Sequence, residues 1–169
     1  EGFTLNYFYQ KGYSCYGVDF ARKGVERHHP DLLGKIQFLQ TNIVTTDYFP
    51  EQTFDVIIGN GILEHVTDKE QVLNAIQSKL NIGGCFFALV PNDFNLIHRL
   101  YMSTNKLDME ACPWFFPPEH LTYFNPESLQ KTVESFGFQT ISIMTDFPIE
   151  MFLLNNKIDY YHNDTGKIA

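Results

Sequence analysis

FDVIIGNGILEHV, from Phe54 to Val66, is the stretch on which the reading of this chain turns. Val56, Ile57 and Ile58 run on without a polar break, as in a strand buried on both faces of a parallel sheet. The apolar run stops at Gly59-Asn60-Gly61, where small residues let a backbone bend sharply and let a ligand come close. In open parallel sheets ligands lie beyond the carboxyl ends of strands, which makes Gly59, Asn60 and Gly61 candidate ligand contacts. A plain strand-to-helix connection is the structural alternative.

Downstream, DKEQVLNAIQSKLN (Asp68 to Asn81) sets Val72, Leu73, Ile76 and Leu80 on one face of a helix. Asp68 or Thr67 is its expected cap and Gly83-Gly84 its terminator. Cys85 to Val90 then reads as another buried strand, stopped by Pro91-Asn92. Upstream, FTLNYFYQ (Phe3 to Gln10) reads as the tail of a helix closed by Lys11-Gly12, with Glu1-Gly2 at its N-terminus, where backbone N–H groups point outward. Tyr13 to Val18 follows as a short strand ending on Asp19. Leu32 to Gln40 supplies a further strand with Ile36, Phe38 and Leu39 as core residues, and it ends at Thr41-Asn42-Ile43.

A carboxylate in the position of Asp19 can accept hydrogen bonds from the 2' and 3' hydroxyls of a ribose. The alternative is that Asp19 caps a helix over Phe20 to His28. Two signals of nucleotide type therefore fall at equivalent places, Asp19 after one strand and Gly59-Asn60-Gly61 after another, and each strengthens the other.

From Asp93 to Phe124 the rhythm breaks. A helix around Leu96 to Met102 gives way to CPWFFPPEHLTYF, whose prolines remove helix and ladder options. Such an irregular, aromatic-lined excursion serves as a lid or pocket wall, or else as an aromatic mini-core beneath a loop. FNPESLQKTVESFGF restores a helix capped by Asn125, with Pro126 at its first position and Gly137 as terminator. Phe138 to Met144 reads as a strand, and the tail carries one apolar patch, Ile149 to Leu154. His28-His29 and His98-Arg99 read as solvated surface.

The 169 residues fit one domain, expected to be incomplete because the chain starts at Glu1 and stops in a polar stretch. The net charge of −8 argues against a nucleic-acid backbone or an anionic membrane as main partner, since both need clustered Lys and Arg. Three widely spaced cysteines fit neither a disulfide framework nor a zinc site and read as reduced thiols, hence a cytoplasmic location. Alternating strands and helices define an α/β fold with a mostly parallel sheet and helices on both faces.

YGVDFA, FDVIIGNGILEHVTD, LNIGGCFFALVPN and HLTYFNPESLQKTVESFGF together resemble the class I S-adenosylmethionine-dependent methyltransferases. The closest likeness is to the branch with the ubiquinone-biosynthesis enzymes and many small-molecule and sugar methyltransferases. The resemblance covers Glu1 to about Asp146. It implies a Rossmann-like sheet of order 3-2-1-4-5-7-6 with the last strand in sequence antiparallel, and S-adenosyl-L-methionine as cofactor. Residue by residue, it implies that Gly2 closes the glycine-rich loop, Asp19 grips the ribose and Phe20 lies against the adenine. Asn42 and Ile43 would meet the adenine edge, and Gly59, Asn60 and Gly61 would line the methionine part. Asn42 stands where the family often has Asp, and an amide can still pair with the adenine amino group. The first strand and most of the glycine loop are missing from the pattern, so the chain by itself is expected to bind the cofactor poorly.

His120, in the excursion, and His65 are the candidate catalytic bases for a small-molecule acceptor, O- or N-methylated, with Trp114, Phe115 and Phe116 as an apolar wall. A structural role beneath the turn is the alternative for His65. Some ubiquinone-type relatives hold a divalent cation with a Glu-His pair and a Glu just before it. Gly61 to Leu63 contains no carboxylate, and no metal site is expected. A nicotinamide-dependent oxidoreductase and a non-catalytic methyltransferase-like binding module are the competing readings, the first disfavoured by LEHV and by the lack of a second catalytic domain.

Overall fold

Two pairs of parallel strands carry the architecture of the chain, each in its own compact unit, Glu1–Thr53 and Phe54–Ala169. The computed structural model describes residues 1–44, 47–112, 114–146 and 151–152.

In the first unit, α1 (Phe3–Gln10) starts at Gly2, which adopts φ +84 as its N-cap, and ends at Lys11 and a left-handed Gly12, as the sequence predicts. β1 (Tyr16–Asp19) pairs in parallel with β2 (Gln37–Gln40), so that Asp19 lies opposite Gln40 at the shared carboxyl end. Both strands are shorter than expected. Tyr13 to Cys15 stay outside the ladder, and a 3₁₀ turn over Pro30–Leu32 takes up the start of the second. α2 (Lys23–His28) lies between them. Val25, Leu32, Tyr48 and Phe49 form the core. The expected core residue Leu39 is instead 37% exposed, because the alternation along β2 turns it to the opposite face from Phe38.

In the second unit, β3 (Phe54–Asn60) pairs in parallel with β4 (Leu80–Leu89). α3 (Lys69–Lys79) connects them, and Asp68 caps it by accepting a hydrogen bond from Gln71 N–H at 2.9 Å. The helix stops before Gly83-Gly84, which instead lie inside the long β4. Gly83 takes φ +79, and a Cβ on Gly84 would sit 2.9 Å from the Asn81 carbonyl oxygen, so the pair forms the irregularity at which the register to β3 shifts. β3 is not buried on both faces as its sequence suggests. Val56 and Ile58, beside Phe87 and Leu89, form a face where each residue is 36–49% exposed, whereas Phe86 on the other face packs on Phe138.

α4 (Leu96–Asn105) is capped by Asn95, whose Oδ1 accepts from Ile97 and His98 N–H. α5 (Pro126–Glu134) has the expected Asn125 cap, completed by Ser128 as a capping box. Leu63, Val66, Val72, Leu73, Ile76, Tyr101 and Phe124 build the core. Residues 138–146 form no strand, since among the described residues no neighbouring strand offers them a ladder, and Ile141, Ile143 and Met144 stay exposed. Among the described residues there are four strands, all parallel. Pro113 and most of the Ile149–Leu154 patch lie outside the described residues.

Candidate functional site

At the carboxyl ends of β1 and β2 the first unit gathers the residues expected around a nucleoside. Asp19 is exposed, and its Oδ1 accepts from Ala21 N–H at 2.8 Å in a turn that precedes α2. Asp19 is therefore not the cap of that helix, whose N-cap is Arg22 without a side-chain bond. The Phe20 ring beside it is 78% exposed, an arrangement suited to stacking rather than to core packing. Asn42 and Ile43 follow β2, where the Asn42 Oδ1 accepts from Val44 N–H at 2.9 Å. Gly2 precedes α1, and a Cβ there would lie 3.1 Å from Val25 and in the left-handed region, so only glycine suits the position.

In the second unit β3 ends at Asn60, and Gly61 turns the chain with φ +65 while its N–H donates to the Leu89 carbonyl at 3.0 Å. Gly59 has a packing role, since Phe86 lies 3.2 Å from where a Cβ would be. The turn then folds Leu63 and Glu64 inward, leaving them 1% and 2% exposed. The Glu64 carbonyl accepts from Leu121 N–H at 2.8 Å and Thr122 N–H at 3.2 Å, which fastens the aromatic excursion to this turn.

That fastening brings His65 and His120 together, with ring centroids 4.9 Å apart. His65 Nδ1–H donates to the Glu119 carbonyl at 2.7 Å, and because a carbonyl only accepts, the tautomer is set and Nε2 faces Glu64 Oε1 at 3.9 Å. Glu64, His65 and His120 have donor atoms within 4.8 Å of one another. Residues 61–63 offer no further carboxylate, and the fold brings His120 of the excursion beside the Glu64–His65 pair. Asp93, after β4, is the site residue that sequence reading missed; its place just past a strand end in VPND was the available signal. Burial pushes its carboxyl up to about 6, His120 opposing and Glu64 adding to the shift. Asp93 Oδ2, Glu64 Oε2 and His120 Nδ1 are all buried without a hydrogen-bond partner.

Phe116 and Tyr123 border His120, with centroids 5.9 Å and 6.0 Å away, and the Tyr123 hydroxyl accepts from Phe116 N–H. Phe115 stacks on Tyr123. Trp114 belongs to the packing of α4, stacked at 3.9 Å on His98, which is thus buried and not the solvated histidine the sequence suggested.

A parallel α/β frame with candidate ligand residues at strand ends defines the doubly wound, Rossmann-like class. A family model described as "Methyltransferase domain" matches residues 1–143, and the chain belongs to that family. No curated protein matches the chain.

Proposed function

We propose that this protein transfers a methyl group from S-adenosyl-L-methionine to a small-molecule acceptor at oxygen or nitrogen, as a class I enzyme. The observation that carries the reading is the methyltransferase match, because it spans both the Asp19 region and the turn after β3. The donor, when bound, supplies the activated methyl and its leaving group; the protein contributes position and exclusion of water, worth up to about 7–11 kcal/mol of barrier. Gly2, Asp19, Phe20, Asn42 and Ile43 hold the nucleoside, and Gly59, Asn60 and Gly61 border the methionine part. The exposed Asp19 carboxylate and Phe20 ring, with glycine in the left-handed region at Gly2, fit that role.

His120 and His65 act on the acceptor. His120 Nδ1, buried and unpartnered beside two carboxylates, is the atom suited to holding the acceptor's proton, and His65 is set in place by the Glu119 carbonyl. Phe116 and Tyr123 supply an apolar border. Thermal melting of a full-length version with S-adenosylhomocysteine, with NAD and with neither tests the reading, since a ligand that binds the folded state raises the melting temperature. A rise with S-adenosylhomocysteine alone supports it. A rise with NAD alone overturns the proposed methyl transfer.

A further inference from the structure

The centre beneath the β3 turn holds three buried polar atoms without a hydrogen-bond partner, Glu64 Oε2, Asp93 Oδ2 and His120 Nδ1. With Nδ1–H committed to the Glu119 carbonyl, neutral His65 presents a bare lone pair at Nε2 towards a carboxylate oxygen 3.9 Å away. Two acceptors face each other there. Protonation of His65 would make an ion pair, but 3.9 Å is well beyond the ~2.7–2.9 Å of a charge-assisted hydrogen bond. Glu64 is 98% buried, and its second oxygen has no partner, nor does His120 Nδ1 or Asp93 Oδ2. Burying a carboxylate without compensation is costly, and such groups pair with a cation or bind a metal.

We infer that Glu64, His65 and His120 bind one divalent cation of the zinc class, leaving a fourth position open to water or to an oxygen of the acceptor. Two imidazoles and one carboxylate form a known type of donor set for such ions, with an open site where chemistry occurs. The hydrogen bond from His65 Nδ1 to a backbone carbonyl is the outer-shell support that orients a ligating imidazole. The donor atoms, within 4.8 Å of one another, need to close by up to about 1.5 Å to reach the ~3.3 Å spacing around a tetrahedral ion. Asp93 remains as a second-layer carboxylate that adds negative potential.

The role of the open position rests on the proposed methyl transfer: His120 then acts as ligand, and an acceptor hydroxyl bound to the ion releases its proton to solvent. Cation binding itself does not depend on the methyl donor. The test uses the full chain, stripped with a chelator and titrated with Co²⁺ while visible absorption is followed, then with Zn²⁺ in competition. The expected result is one equivalent of Co²⁺ in a four- or five-coordinate spectrum, displaced by one equivalent of Zn²⁺. Glu64→Gln and His120→Ala should each weaken binding by at least ~10-fold, while the exposed Glu127→Gln leaves it unchanged. Circular dichroism confirms that the variants are folded. Failure of the folded chain to bind, or affinity unchanged in both variants, overturns the inference. Methyl transfer that survives chelation yet is lost in His120→Ala overturns the cation and leaves the proposed function standing.

Discussion

His65 donates its Nδ1–H to the backbone carbonyl of Glu119 across 2.7 Å, joining the turn after β3 to the aromatic excursion that follows α4. The Glu64 carbonyl makes the second half of the joint through the N–H groups of Leu121 and Thr122. Without this joint, the turn would not hold His120 beside Glu64.

Replacing His65 by Ala should therefore loosen the excursion without unfolding the protein. A hydrogen bond of this kind contributes about 1 kcal/mol, so amide exchange at Leu121 and Thr122 should speed up roughly 5-fold. Protection unchanged at both amides would show that the joint is held elsewhere.

Asp93 gives the metal-free protein a pH signature. Its carboxyl titrates at about 6 in the fold because burial disfavours the charge, against an ordinary value near ~3.9. The folded state thus holds the proton more tightly than the unfolded state does. Stability from this group is complete below about pH 4, is lost as pH rises to about 6, and is flat beyond. With chelator present, Asp93→Asn should be more stable than the parent at pH 8 by about 1–3 kcal/mol in urea melts, and the gain should vanish at pH 4. Glu64 and His120 face the same group, so a gain that does not change with pH would assign the effect to them.

Gly61, at φ +65, cannot take a side chain without strain. Gly61→Ala should cost about 1–2 kcal/mol. Gly34→Ala, where a Cβ meets open space, should stay within about 0.5 kcal/mol. Equal effects in the two would mean that the turn relaxes.

The Asn125 cap is closed from both sides, its Oδ1 accepting from Ser128 N–H at 2.8 Å and its own N–H donating to the Ser128 hydroxyl at 2.9 Å. Asn125→Ala should lower stability by about 1 kcal/mol, seen as a lower urea midpoint. An unchanged midpoint would make α5 marginal to the cooperative fold.

Much of this was legible in the chain because helix ends and strand ends are written locally. Gly2, Gly12, Asp68, Asn125 and Gly137 each sit at the boundary their chemistry demands. Strand extents were not legible, since a ladder needs a neighbour: Phe138 to Met144 has the residues of a strand and no partner strand among the described residues, and Val56 and Ile58 have the residues of a core strand with one face uncovered. The same limit applied at the site. Glu64 and His65 were visible as a pair, but Asp93 joined them only through tertiary folding, and the burial of His98 depends on Trp114 arriving from another segment.

The proposed function requires that the Asp19 group and the turn at residues 59–61 bind the same methyl-donor molecule. Amide NMR of the labelled chain during titration with S-adenosylhomocysteine tests it most directly, and works even where binding is weak. Asp19, Phe20, Asn42, Gly59, Asn60 and Gly61 should shift along one saturation curve, with Asp19→Ala weakening it at least ~10-fold and NAD leaving it untouched. Shifts confined to one of the two groups, two separate curves, or an equal response to NAD would contradict the account.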